Sequence, residues 1–427
     1  MNQQISRRRL IQLAGLGAGA AALASCAPSA PGPSAGGGAA SNATPTNFRF
    51  ASWTLADDTS KIGVQNLMKS YQTSKKITIT GVPIAYNDYL TQLLLQVRGG
   101  QFTGAVQLDI SWLSQLAALG KLRDLSGQAK DAGYTPAALA TGQLAGKQYG
   151  LPWTSGAIGL IVNQKILNQV GAKELPASID DFEALLKEIK GTGVVPYAAS
   201  TKVAQLKDIV IWMQTFGSKI VEGGKITIGD DASVDAVTWY KKLYDQRLIA
   251  PDVERADARA LFAQGKTAMY DDAIVGKDVV AKQAPDKTLI DNIAPAPRPV
   301  KSPGDKPRAL AWGHIAVVVE GDGADTASDF ARYSTADKAA VLGYFKDVSL
   351  PPTTTTALAD PVVTSDKFTT AFTQKITTTS TPNPLWPYPQ YGQMEAILSK
   401  NVQAVLVGQS SAKDALAKAR EDMQKLV

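Results

Sequence analysis

Over residues 47–120 the apolar pattern switches repeatedly between a period of two and a period of roughly 3.6, and this switching restricts the fold most. Asn47-Phe48-Arg49-Phe50-Ala51-Ser52-Trp53 alternates and predicts a first strand. Lys61 to Tyr71 carries Ile62, Leu67 and Met68 on a helical stripe. Lys76 to Val82 predicts a second strand, and Tyr89 to Val97 a helix ending at Gly99-Gly100. Val106 to Ile110 predicts a third strand, and Leu113 to Leu119 a helix stopped by Gly120. Strands alternating with helices predict α/β layers built on mainly parallel sheets.

The alternation resumes further on. Gly159 to Asn163 is a continuous apolar run and reads as a buried strand. Ser178-Ile179-Asp180-Asp181 opens a helix in the manner of a capping box, and Phe182, Leu185, Leu186 and Ile189 follow at helical spacing. Val194 to Ala198 and Gly265 to Met269 predict strands, with helical stripes over Val234 to Tyr244 and Ala260 to Phe262. Ile315 to Val319 predicts a further strand, and Asp325 to Phe345 and Met394 to Val427 are mostly helical. No fixed-period repeat is present.

The start of the chain has a different character. Arg7, Arg8 and Arg9 precede an apolar run over 10–24, shorter than the roughly 20 residues of a membrane-spanning helix. A basic start, a short apolar middle and small residues read as an export signal. Ser6-Arg7-Arg8-Arg9-Leu10-Ile11 resembles a twin-arginine signal. Leu23-Ala24-Ser25-Cys26 resembles a lipobox, the site at which bacterial lipoproteins are lipidated and cut. That resemblance assigns 1–26 to a signal peptide and makes Cys26, the only cysteine, the lipid-bearing residue. Residues 27–46, rich in Gly, Ala, Ser and Pro, then form a flexible tether. The protein is expected on the outer face of the cytoplasmic membrane.

Composition removes several function classes. The formal net charge is +6, and the three leader arginines supply half of it. No lysine run interleaved with aromatics forms a nucleic-acid groove, so no nucleic-acid partner is expected. One histidine and one cysteine leave no zinc or iron ligand cluster, and no EF-hand-like loop occurs, so no metal or other cofactor is expected. The G-x-S-x-G elbow, the H-E-x-x-H helix and a dinucleotide G-x-G-x-x-G after a strand are absent.

Binding residues are sought at strand ends, because ligands of open α/β sheets sit beyond the carboxyl ends of the strands. Trp53 follows the first strand, with Asp57 close behind, and Asp109 and Trp112 follow the third. Trp386 lies in the turn-rich loop Thr381 to Pro389. Aromatic plates and carboxylates together suit a sugar, whose rings offer apolar faces and a rim of hydroxyls. Asp109 equally fits as a cap of the helix beginning near Trp112. Trp239 falls on a helical stripe and reads as core, Trp212 fits either role, and His314 reads as a core residue.

Several segments, in this order, resemble the extracellular sugar-binding proteins of ABC importers, of which the maltose-binding protein is the best-known member. Tyr149-Gly150-Leu151-Pro152 with Leu160 to Gln164 is similar to the family's YGLP…YN segment, and Leu175 to Phe182 to its P-x-T-W-D-E-L helix start. Phe262-Ala263-Gln264-Gly265-Lys266-Thr267-Ala268-Met269 is similar to its F-x-x-G-K-x-A-M. Ala327 to Tyr333 and Leu350-Pro351-Pro352 resemble later segments. The sequence departs from the pattern at Ser178-Ile179, at Ile161 and Val162, and before Asp109, where no proline stands. The resemblance implies two α/β lobes with a ligand cleft between them. One lobe takes 47–153 and 312–350, the other 154–311 and 351–427. Chain crossings then fall near Trp153 and Trp312, and Asp271 lies in the loop reaching over from the second lobe. The implied function is capture of a carbohydrate by a monomer that delivers it to the importer's permease subunits, without catalysis. A secreted glycosidase, built on Asp57 with Asp109 or Asp271, is the alternative from another class. A peptide, polyamine or osmolyte as cargo is a third. For Asp272 the expectation is a solvated carboxylate.

Overall fold

The structure is a computed structural model that describes residues 44, 46–58 and 60–427. The stretch expected as an export signal, Cys26 and nearly all of the expected tether lie outside the described residues. The elements that position the site are β1 (Phe48–Ser52), α1 (Lys61–Lys75), β2 (Ile79–Pro83), α2 (Tyr86–Arg98), β3 (Gly104–Asp109) and β4 (Gly150–Asn163). Next come α3 (Ile179–Gly191), β5 (Val195–Ala198), α4 (Ile209–Thr215), α5 (Asp231–Asp245), α6 (Arg255–Ala263), β6 (Thr267–Asp272) and β7 (Ile293–Ala296). The chain closes with β8 (Ala309–Val319), α7 (Ala324–Ala336), α8 (Lys338–Val348), α9 (Lys367–Lys375), β9 (Ser380–Thr381), α10 (Tyr391–Leu406) and α11 (Ala412–Gln424).

These nine strands form one sheet in the order β2-β1-β3-β8-β4-β6-β5, with β7 on β4 and β9 on β8. β1 pairs in parallel with β2 and β3, and β6 in parallel with β5. β8 is antiparallel to both β3 and β4, and β4 is antiparallel to β6 and β7. The sheet is therefore parallel on its two flanks and antiparallel where two long strands, β4 and β8, join them. Trp153 and Trp312, where crossings are expected, lie within those strands. Between His314 and Ile315 the register slips: His314 opposes Thr154, Ile315 opposes Pro152, and Trp153 is the extra residue of a β-bulge.

Helices begin where the sequence supplies caps. The Ser178 hydroxyl accepts the Asp181 N–H at 3.1 Å and donates to the Asp181 carboxylate at 2.7 Å. This opens α3, whose Phe182, Leu185, Leu186 and Ile189 are all buried. On the β1 flank, Phe330 of α7 lies 5.2–5.4 Å from the rings of Phe48, Phe50 and Tyr71. Burying one such side chain contributes roughly 1.5–3 kcal/mol. The opposite face of the sheet packs Val106 and Leu108 of β3 and Ile315 and Val317 of β8 in one cluster with Tyr89 and Leu93 of α2. Among the described residues no helix is long and apolar enough to cross a membrane.

β4 and β8 approach closely at Gly313, where an added Cβ would stand 2.4 Å from the Thr154 carbonyl oxygen. Backbone cannot yield as a side-chain tip does. Gly313→Ala is expected to lower stability by about 2 kcal/mol in urea unfolding. A change within experimental error would show that the two strands are not held this tightly.

Candidate functional site

The carboxyl ends of β1, β2 and β3 gather aromatic rings. Trp53 meets Tyr86, Tyr89 and Trp112 edge to face, at 5.6, 5.0 and 5.7 Å between centroids. Tyr86 lies 5.2 Å from Trp112. Such edge-to-face and tilted pairs are the favoured aromatic geometries. Tyr89 is fully buried, Trp53 and Trp112 are half-buried, and Tyr86 is 47% exposed, so the cluster is a wall with an open side.

A buried polar post stands behind this wall. Ser52 Oγ and Thr54 Oγ1 donate to Gln107 Oε1, at 2.5 and 3.0 Å. With its oxygen so engaged, the Gln107 amide donates from Nε2 to His314 Nδ1 at 3.2 Å. That leaves the imidazole proton on Nε2. The His314 ring sits edge to face between Trp53 at 4.9 Å and Trp312 at 4.8 Å. Burial drives its pKa down to about 3, so it is neutral.

Asp109 ends β3 and caps the turn carrying Trp112. Its Oδ1 accepts the Ser111 N–H at 2.9 Å and the Ser111 hydroxyl at 2.7 Å, while Oδ2, among the described residues, meets only the Tyr86 hydroxyl, at 3.4 Å. Capping thus occupies one oxygen of the carboxylate and leaves the other with a single long contact. Burial raises the Asp109 pKa; the Ser111 bonds and the Lys207 ammonium oppose it. Lys207 also acts on the Tyr86 hydroxyl, whose pKa burial raises.

Further charges surround Lys207. Its Nζ lies 3.6 Å from Glu395 Oε1, and the Tyr391 hydroxyl donates to the same carboxylate. Burial pushes Glu395 up to about 7, against the pull of Lys207. Asp208 accepts from Arg255 Nη2 at 2.5 Å. Arg259 grips Asp272 with two bonds, at 2.7 and 2.8 Å. The result is an aromatic wall with one carboxylate, faced by alternating cations and carboxylates. This arrangement suits a neutral, hydroxyl-rich molecule with flat apolar faces.

The other sequence-derived candidates fall in four places. Asp57 is exposed, accepts from the Ser60 hydroxyl at 2.7 Å and acts on Arg259. Trp312 and Trp386 line a cavity of about 570 Å³ beside Thr154, Leu113 and Asn383. Trp153 is 2% exposed and lies 6.1 Å from Phe50 and 5.0 Å from Tyr344. Asp271 is buried, and both oxygens are engaged, one by Arg298 and one by the Tyr197 hydroxyl. Arg298 in turn lies over the Trp212 ring at 5.1 Å. Asp272 is not the solvated carboxylate expected: it is fully buried, because Arg259 and the Ala273 N–H at 2.8 Å compensate its charge.

Sequence reasoning missed Tyr86, Lys207, Asp208, Arg255 and Glu395. Tyr86 follows a strand just as Trp53 does and was open to the same rule. Lys207 and Glu395 meet only through the tertiary fold. Among the described residues no group of His, Cys, Asp or Glu is arranged to hold a metal ion.

The chain has one histidine, which simplifies a test. With the folded pKa near 3 and the ordinary value at 6.5, the unfolded chain binds the extra proton between them. His314 therefore adds to the rise of stability with pH across that window, by at most about 1.4 kcal/mol per pH unit, and adds nothing above it. The single imidazole resonance is expected to stay at its neutral position from pH 8 to pH 5. A midpoint near 6.5 would contradict the burial described.

The model of the bacterial extracellular solute-binding protein family matches residues 66–370. Curated relatives include a binding protein of Brucella abortus (strain 2308), 24% identical over 245 residues, 54% of this chain and 60% of that protein. A Mesorhizobium japonicum protein named for periplasmic sugar binding is 28% identical over 204 residues, 45% of this chain and 47% of its own. The chain thus matches at most 60% of the length of these relatives. Among solved structures, the GacH receptor of Streptomyces glaucescens, determined unliganded and with acarbose, superposes with a TM-score of 0.80 at 20% identity. That match covers 90% of this chain and 98% of the receptor. Maltose-bound MalE3 of T. maritima gives 0.79 at 16% identity, over 90% of this chain and 100% of its own. Both share the two-lobed α/β fold. Sheet, strand-end site and sequence match agree: the chain belongs to the family of bacterial extracellular solute-binding proteins.

Proposed function

We propose that the protein captures a carbohydrate between its lobes and delivers it to the permease subunits of an ABC importer. The observation that carries this reading is the wall of Trp53, Tyr86 and Trp112 with the Asp109 oxygen that the Tyr86 hydroxyl meets at 3.4 Å, close enough to Lys207, Arg255 and Glu395 to feel their charges. A sugar face packs on the rings, and its rim hydroxyls exchange hydrogen bonds with the charged groups. The lobes take 47–153 with 312–350 and 154–311 with 351–427. Contacts to both lobes exist only when the cleft is closed, so ligand shifts the population towards closure by its differential affinity. Permease subunits then recognise the closed form. No covalent step is involved. Acarbose and maltose in the solved relatives support a saccharide as cargo.

Ligand that binds only the folded protein stabilises it by about 2.7 kcal/mol at a hundredfold excess over Kd. A thermal-shift screen of the chain without its leader, with mono-, di- and oligosaccharides beside peptides and polyamines, is expected to respond to one saccharide class. The sugar should be recovered unchanged, and Trp112→Ala should weaken its binding by about 2 kcal/mol. A response to peptides or polyamines alone would overturn the carbohydrate reading, and turnover would favour a hydrolase.

Anchoring completes the proposal: Cys26 carries lipid and the following segment tethers the protein, at work as a monomer, to the outer face of the membrane. One acyl chain binds only marginally, and the multiple chains of a lipoprotein anchor give stable attachment. Cys26→Ser is expected to abolish incorporation of labelled palmitate and release the protein from membranes. Retention of the label would place the modification elsewhere.

A further inference from the structure

We propose that Glu395 contacts the ligand: with Lys207 it forms the polar end of the cleft that receives a pair of adjacent hydroxyls of the bound saccharide. This rests on the carbohydrate reading above and assigns a residue from the C-terminal part of the chain to the site. Glu395 projects from the second turn of α10. Its side chain keeps 17% of its surface accessible, and that of Lys207 keeps 36%, so neither is sealed in the core. Their separation of 3.6 Å exceeds that of a direct ammonium–carboxylate hydrogen bond, about 2.8 Å. The two charges form an ion pair at a longer separation than a full hydrogen bond, which leaves capacity on each for a further, bridging group.

The donor and acceptor count points the same way. An ionised carboxylate accepts about four hydrogen bonds and an ammonium donates three. The Tyr391 hydroxyl fills one place on Glu395. Of two neighbouring sugar hydroxyls, one can donate to Glu395 while the other accepts from Lys207. The groups that act on Glu395 are Lys207 and Asp208, from the turn Leu206–Asp208 packed on α10, and Asp109 at the end of β3. Asp109 also places Glu395 close to the aromatic wall, so one saccharide can span both. The carboxyl is pushed up to about 7, mainly by burial. Near neutral pH, hydroxyl donors select its ionised form and release a proton.

The test is isothermal titration with maltose, maltotriose and any saccharide that responds in the thermal screen, between pH 6 and 8, in two buffers of different ionisation enthalpy. For the wild-type chain, affinity is expected to rise with pH through about 7, by up to about tenfold per unit, with proton release. Glu395→Gln is expected to bind about ten- to a hundredfold more weakly and to lose the pH dependence. Lys207→Met, the second variant, should weaken binding too, and it carries the test if Glu395→Gln fails to fold. Wild-type affinity and pH profile in both variants would overturn this assignment and leave the carbohydrate reading standing. Absence of binding by any saccharide to the wild-type chain would overturn both.

Discussion

The pairing of β8 with β4, from Leu310 opposite Ile158 to Val317 opposite Gly150, is the constraint on which the rest of the structure depends. β8 continues the sheet into β3 and so fixes where β1 and β3 end. The far end of β4 continues it into β6 and β7. Strand ends on both flanks are thereby held relative to a single antiparallel ladder. The aromatic wall and the groups facing it gain their mutual placement from backbone hydrogen bonds more than from their own contacts.

Most buried polar groups of the site are paired, although among the described residues Arg255 Nε and Arg298 Nε and Nη1 have no hydrogen-bond partner. Gln107 accepts two hydroxyls and gives one bond to His314, so a neutral imidazole stands between two indoles. Asp271 and Asp272, adjacent in sequence, each hold an arginine, one from either side. Removing one partner of such a pair leaves an uncompensated charge in a poor solvent, which costs more than the pair is worth. Asp109, Lys207 and Glu395 also retain unused hydrogen-bonding capacity.

Much of this architecture is legible in the sequence because it depends on local periodicity. The alternation over Asn47 to Trp53, the helical stripe of Phe182 to Ile189 and the Ser178 cap translate directly into β1, α3 and its first turn. The strand-end rule brings Trp53, Asp109 and Trp112 together for the same reason. It fails where the far partner decides. Nothing near Asp271 shows that Arg298 takes its oxygen, and nothing near Glu395 shows that Lys207 stands opposite. The full length of β4 was also hidden, since Pro152, Thr154 and Gly156 interrupt its apolar run while their backbone still pairs with β8.

The bulge at Trp153 has a consequence for how this chain tolerates changes in length. Side chains along a strand alternate between faces, and a single inserted or deleted residue sends all those beyond it to the opposite face. Trp153 is an extra residue in the pairing with β8, already absorbed and buried. Between Gly150 and Asn163, Leu151, Ala157 and Ile161 pack into one apolar cluster, while Ile158, Leu160 and Val162 pack into another. Loops elsewhere can lengthen or shorten among relatives at small cost. Within β4 the number of residues is itself part of the structure, because a slip of one would exchange the contents of two cores.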